Sequence, residues 1–207
     1  VAQGGAVPAA AARAESDTPG ALTLEDALAR LQADGMTENE RQAFWKDVRE
    51  AGLLDEVVSA FEERAEDDPL NPDAQHDLGG AYLQKLFAVG NGPEQGIWAT
   101  KADKAFDAAL AIDPTHWDAR FSKAVSLSFW PPIFGKQAAA IQHFETLVEQ
   151  QGGSNDPRYA QTHYLLGNMY QQSGKTEQAI ATWQAGLKIF PNDPQLAAQL
   201  GLHKGKQ

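Results

Sequence analysis

Between Ala160 and Asp193 the chain places small and bulky residues at intervals suited to a pair of antiparallel helices. Ala179, Ile180, Trp183, Gly186, Leu187 and Phe190 follow the three-four spacing of one helical stripe. Gly167 and Ala179 carry little or no side chain where the two helices would cross, so the backbones can approach, and Tyr170 and Trp183 fill the space beside the crossing. Gly174 supplies a turn conformation costly for other residues, and Pro191 ends the second helix. One such hairpin cannot bury its apolar face alone, so the pattern predicts further copies stacked against it.

Those copies are present. A second begins with Leu78, Gly79 and Tyr82 and closes with Ala102, Phe106, Ala109 and Pro114, but eleven extra residues separate Tyr82 from Ala102 relative to Tyr170 and Ala179. An inserted loop or an elongated first helix is expected there. A third runs from Trp117 to Gln151, with Ala124 and Leu127 in the first helix, Ala140 and Phe144 in the second, and four extra residues in the turn. Pro131 and Pro132 end its first helix near Phe129 or Trp130, since proline lacks the backbone donor and restricts its predecessor. A degenerate fourth copy lies upstream. Thr37 and Glu40 form a capping box for a helix carrying Phe44, Trp45 and Val48, Gly52 turns the chain, and Val57, Val58 and Phe61 precede Pro69. Thr23 caps a short helix bearing Leu24, Ala27, Leu28 and Leu31, and Gln195 to Leu202 forms a terminal helix.

Leu166, Gly167, Tyr170, Gly174, Ala179, Trp183, Gly186 and Pro191 resemble the tetratricopeptide repeat pattern at all eight of its sites. The fold this implies is all-α: a right-handed α-solenoid of antiparallel helix pairs with terminal capping helices. The expected organisation is an Ala/Gly/Pro-rich tail over 1–20, a capping helix over 21–36, and a repeat domain over 37–202. Its units span about 37–70, 71–115, 116–158 and 159–193, with a cap at 194–202. The resemblance further implies a concave groove lined by first helices, at His76, Leu83, Gln84, Phe121, Val125, Phe129, Tyr164, Asn168 and Gln172. Some proteins of this family grip a peptide carboxylate with basic and amide groups. Here Asn168 fits one such site, but His76, Gly80, Phe121 and Tyr164 stand where the others would be, so an apolar or aromatic peptide segment is the expected ligand.

Charge and composition narrow the function. A formal charge of −11 repels nucleic acid and anionic membrane over most of the surface. No apolar run reaches the roughly 18 to 20 residues a membrane-spanning helix needs. With no cysteine and no close-spaced pair among His76, His116, His143, His163 and His203, neither a metal site nor a thiol nucleophile is expected. Gly79-Gly80 and Gly90 to Gly92 lack the strand and lysine context of phosphate loops, so no cofactor is expected. The chain reads as a binding scaffold for a protein or peptide and not as an enzyme. Self-association into a homo-oligomer is the structural alternative. A hydrolase or transferase using the 90–100 insertion with His76 as base is the enzymatic one. The Ala/Gly/Pro-rich start favours an exported, periplasmic protein over a cytoplasmic one.

Overall fold

A computed structural model describes residues 22–32 and 38–204. The chain divides into two compact units, Val1–Leu53 and Leu54–Gln207. Ten α-helices and one 3-10 turn, and no strand, occur among the described residues.

In the first unit, α1 spans Leu24–Gln32 and α2 Glu38–Glu50. Thr23 caps α1 as expected: its Oγ1 accepts from the Asp26 amide at 3.1 Å and donates to the Asp26 carboxylate at 2.8 Å. Thr37, the expected cap of α2, lies outside the described residues, as do residues 1–21. Phe44, Trp45 and Val48 are buried, the two rings meeting edge to face at 5.1 Å. Gly52 takes φ 72°, the left-handed conformation its place in the turn requires.

The second unit holds α3 (Leu54–Asp67), α4 (Pro72–Ala88), α5 (Pro93–Ile112), α6 (Trp117–Ser128), α7 (Gln137–Gln151), α8 (Arg158–Gln172), α9 (Thr176–Ile189) and α10 (Pro194–Lys204). Each helix packs on its sequence neighbours, and α4 also touches α6 directly, as α8 touches α10. The starts of these helices follow local chemistry. Asn71 Oδ1 accepts from the amides of Asp73 and Ala74, with Pro72 at the first helical position. His116 caps α6 by accepting the Ala119 amide on Nδ1 at 3.1 Å, which leaves the proton on Nε2 to donate to Asp73 at 3.0 Å.

The small residues sit where the pattern placed them. A Cβ on Gly167 would come within 2.1 Å of the Trp183 indole nitrogen, and one on Gly79 within 2.4 Å of the Phe106 ring. Phe106 on α5, Phe144 on α7 and Trp183 on α9 are fully buried. Around the last two, one core runs from Ala124 and Leu127 on α6 to Leu196 on α10. Full burial of such a side chain contributes about 1.5–3 kcal/mol, which ties each pair to the next.

Ten of the eleven extra residues of the second copy are helical, and one lengthens the turn. Relative to the α8–α9 hairpin, they extend α4 by four residues past Tyr82, the turn by one, and α5 by six before Ala102. Both helices are longer, where an inserted loop or a longer first helix was expected. The tip of this hairpin exposes Phe87 and Ile97.

Candidate partner-binding surface

The first helices α4, α6 and α8 form one layer, joined by side chains near their N-terminal ends. His76 Nε2 on α4 lies 3.2 Å from Ser122 Oγ on α6. Trp117 on α6 meets Tyr159 on α8 edge to face at 5.8 Å, with the Arg158 guanidinium 4.7 Å from the Trp117 ring. Trp117 in turn stacks on Phe121, 4.8 Å apart and inclined by 11°. Guanidinium and aromatic faces attract through the ring quadrupole, which favours this cross-repeat contact.

The nine expected groove positions fall into three groups. Leu83, Gln84, Val125, Tyr164 and Asn168 are half-buried on the first helices, leaving part of each side chain to solvent. His76 and Phe121 belong to the joints between elements. His76 is 20 % exposed, against Ser122 and, at 3.5 Å, Asp77, and the Phe121 ring closes edge-on over Phe144 at 6.2 Å. Phe129 and Gln172 lie at the ends: Phe129 caps α6 and is 79 % exposed, and Gln172 is the last residue of α8. Trp117, Tyr159 and Arg158 were not among the expected positions. The four-residue step from Trp117 to Phe121 to Val125 was the sequence signal for the first of them.

A repeated device holds the layer against the second helices. In α3, α5 and α7 the residue after the buried aromatic is an acid: Glu62 after Phe61, Asp107 after Phe106 and Glu145 after Phe144. Each takes a proton donor from the next first helix. Tyr82 donates to Glu62 at 2.7 Å, Lys123 to Asp107 at 2.9 Å, and Tyr170 to Glu145. Burial, then the bond to Glu145, pushes the Tyr170 phenol up to about 12, so it remains a donor throughout the neutral range. Beside this, the buried Asp103 accepts from Ser126 Oγ at 2.8 Å and Trp130 Nε1 at 3.1 Å, fixing the end of α6 on α5.

Ser122, His76 and Asp77 line up as hydroxyl, imidazole and carboxylate. Ser122 sits inside α6, however, where backbone amides are engaged in the helix and none is free to hold an oxyanion. Among the described residues no three His, Asp or Glu side chains converge as metal ligands, and no helix is long and apolar enough to cross a membrane.

The family model described as Tetratricopeptide repeat matches residues 135–200. No curated protein sequence matches the chain. Among solved structures, MamA residues 41–end from Desulfovibrio magneticus RS-1 is 20 % identical, covering 83 % of this chain and 87 % of its own, with a TM-score of 0.57. TTC0263, a thermophilic tetratricopeptide protein of Thermus thermophilus, is 12 % identical with a TM-score of 0.57, covering 84 % of this chain and 85 % of its own. The Cut9–Hcn1 hetero-tetramer of the APC/C matches at 19 % identity and TM-score 0.56, over 86 % of this chain and 31 % of that one. At these identities the structural likenesses establish the fold. Residues 135–200 thus match the tetratricopeptide repeat family, the chain as a whole has the helical-repeat fold of these structures, and the same Gly-aromatic interlock recurs at Gly79–Phe106 and Gly167–Trp183.

Proposed function

We propose that the chain is a protein-interaction scaffold whose first-helix layer holds an extended or helical segment of a partner protein. The supporting observation is the state of the side chains on α4, α6 and α8. Leu83, Gln84, Val125, Tyr164 and Asn168 are neither packed away nor fully solvated, which leaves apolar area and amide groups together on one layer. Apolar side chains of a partner would cover Val125 and Tyr164 while Gln84 and Asn168 hydrogen-bond its backbone, the general arrangement of peptide capture in a helical groove. The solved relatives include a subunit assembled with a partner, Cut9–Hcn1, which is consistent with this use of the fold.

The test is recovery of partners on the immobilised chain, wild type against Tyr164→Ala with Asn168→Ala. Both positions are half-buried, so helicity by circular dichroism should persist. The reading expects at least about tenfold weaker recovery of the partner, the loss typical of a truncated interface centre. Undiminished recovery by the folded double variant would remove this layer as the binding site.

A further inference from the structure

A second surface lies off that layer, on the turn from α6 to α7. Phe129 is 79 % exposed, Ile133 89 % and Phe134 57 %, three large apolar side chains within six residues of a chain whose other aromatics are mostly covered. Exposure here does not come from a loose loop. Trp130 is pinned through Nε1 to Asp103 at 3.1 Å and meets the Phe134 ring edge to face at 5.2 Å. The Phe134 and Gly135 amides donate to the carbonyls of Pro131 and Pro132 at 3.0 Å each, and Gly135 closes the turn at φ 64°. Pro131 and Pro132 fix two further backbone angles. A large side chain offers roughly 150 Å² or more, so the three together reach the few hundred Å² at which an apolar patch marks an interaction site.

The charge beside this patch selects its partner. Lys136 occupies the cap position of α7, with its ammonium 5.7 Å from the centre of the Trp130 ring. Among the described residues no carboxylate lies within ion-pairing distance of it. The first turn of α7 contains no acid, and no side chain caps its amides. A lysine at the positive end of a helix dipole is unfavourable for both, and an incoming carboxylate would relieve both. With 28 acids against 17 basic residues, most of the surface repels such a group.

We propose that the α6–α7 turn is a docking surface for an acidic, amphipathic polypeptide segment, whose bulky apolar side chains cover Phe129, Ile133 and Phe134 and whose carboxylate meets Lys136. This is independent of the first-helix reading. The probe is a synthetic amphipathic peptide of Leu, Phe and Glu, compared with its counterpart carrying Lys for Glu, titrated into the full chain while tryptophan fluorescence is followed. The Glu peptide is expected to bind saturably and to weaken with added salt. Ile133→Ser with Phe134→Ser and, separately, Lys136→Glu should each weaken it by about tenfold or more. Tyr164→Ala with Asn168→Ala should leave it unchanged, which separates this surface from the first-helix layer. Because Ile133 and Phe134 are exposed, their replacement should leave the circular dichroism spectrum intact. Equal binding of the Lys peptide, no saturable binding of the Glu peptide, or indifference to the turn variants would overturn the proposal. So would a preference for phosphatidylcholine or phosphatidylglycerol vesicles over the peptide, or a concentration-dependent dimer abolished by the same variants, since these assign the turn to lipid or to a second copy.

Discussion

Glycine against aromatic is the contact that sets the spacing of each helix pair. At Gly167 a methyl group would displace the Trp183 indole, whose nitrogen donates to the Tyr164 carbonyl at 3.3 Å, and Trp183 has no exposed surface into which to move. Gly167→Ala should therefore destabilise the fold by about 1–3 kcal/mol, the range for overpacking a close-packed site, despite the better helix propensity of alanine. Urea denaturation checks this, and a neutral or stabilising effect would show that the crossing is looser than described. Two histidines make a separate prediction. Burial holds His163 below its ordinary value, and burial followed by Arg120 and Lys123 does the same for His143. His163 nevertheless keeps a bond from Nε2 to Gln151 at 2.8 Å. The unfolded chain then takes up protons first on acidification. Stability from these groups is present above about pH 6.5 and is lost as pH falls below it towards the folded values. Thermal unfolding at pH 7.5, 6.5 and 5.5 should show a falling midpoint across the last step, and a midpoint that rises there would contradict the assignment.

At the level of elements, the hairpin α4–α5 and the turn after α6 are where this chain departs from a plain repeat. Phe87 and Ile97, at the tip of the long hairpin, are 67 % and 57 % exposed, so little of either contributes to the core. Phe87→Ser with Ile97→Ser should change stability by less than about 0.5 kcal/mol per site, as surface replacements do, and equilibrium unfolding measures it. The helix pairs themselves were legible from residues such as Gly167, Trp183 and Pro191, because a crossing, a filled flank and a stop are local demands on residue type. Lengthening of both helices in the insertion was not, since LFAVGNGPEQGIWAT contains Gly and Pro that read as breakers, while Pro93 in fact takes the first position of α5. The Trp117–Arg158 contact and the part-buried Asp103–Trp130 bond were equally hidden: each partner is chosen by stacking across repeats, which spacing within one helix does not encode.

For the whole molecule, the account rests on a division of labour within the stacked pairs. Second helices supply the buried aromatics and the acids that bolt the next pair in place, and under the proposed function the half-buried apolar and amide side chains of the first helices serve a partner. Two positions separate these roles cleanly: Asn168, half-buried on α8, and Gln142, exposed on α7. A photo-reactive residue introduced at either site and irradiated in cells that make the partner reads the division directly. The account predicts a discrete crosslinked species from position 168 and none from 142, whereas crosslinking from 142 alone would contradict it.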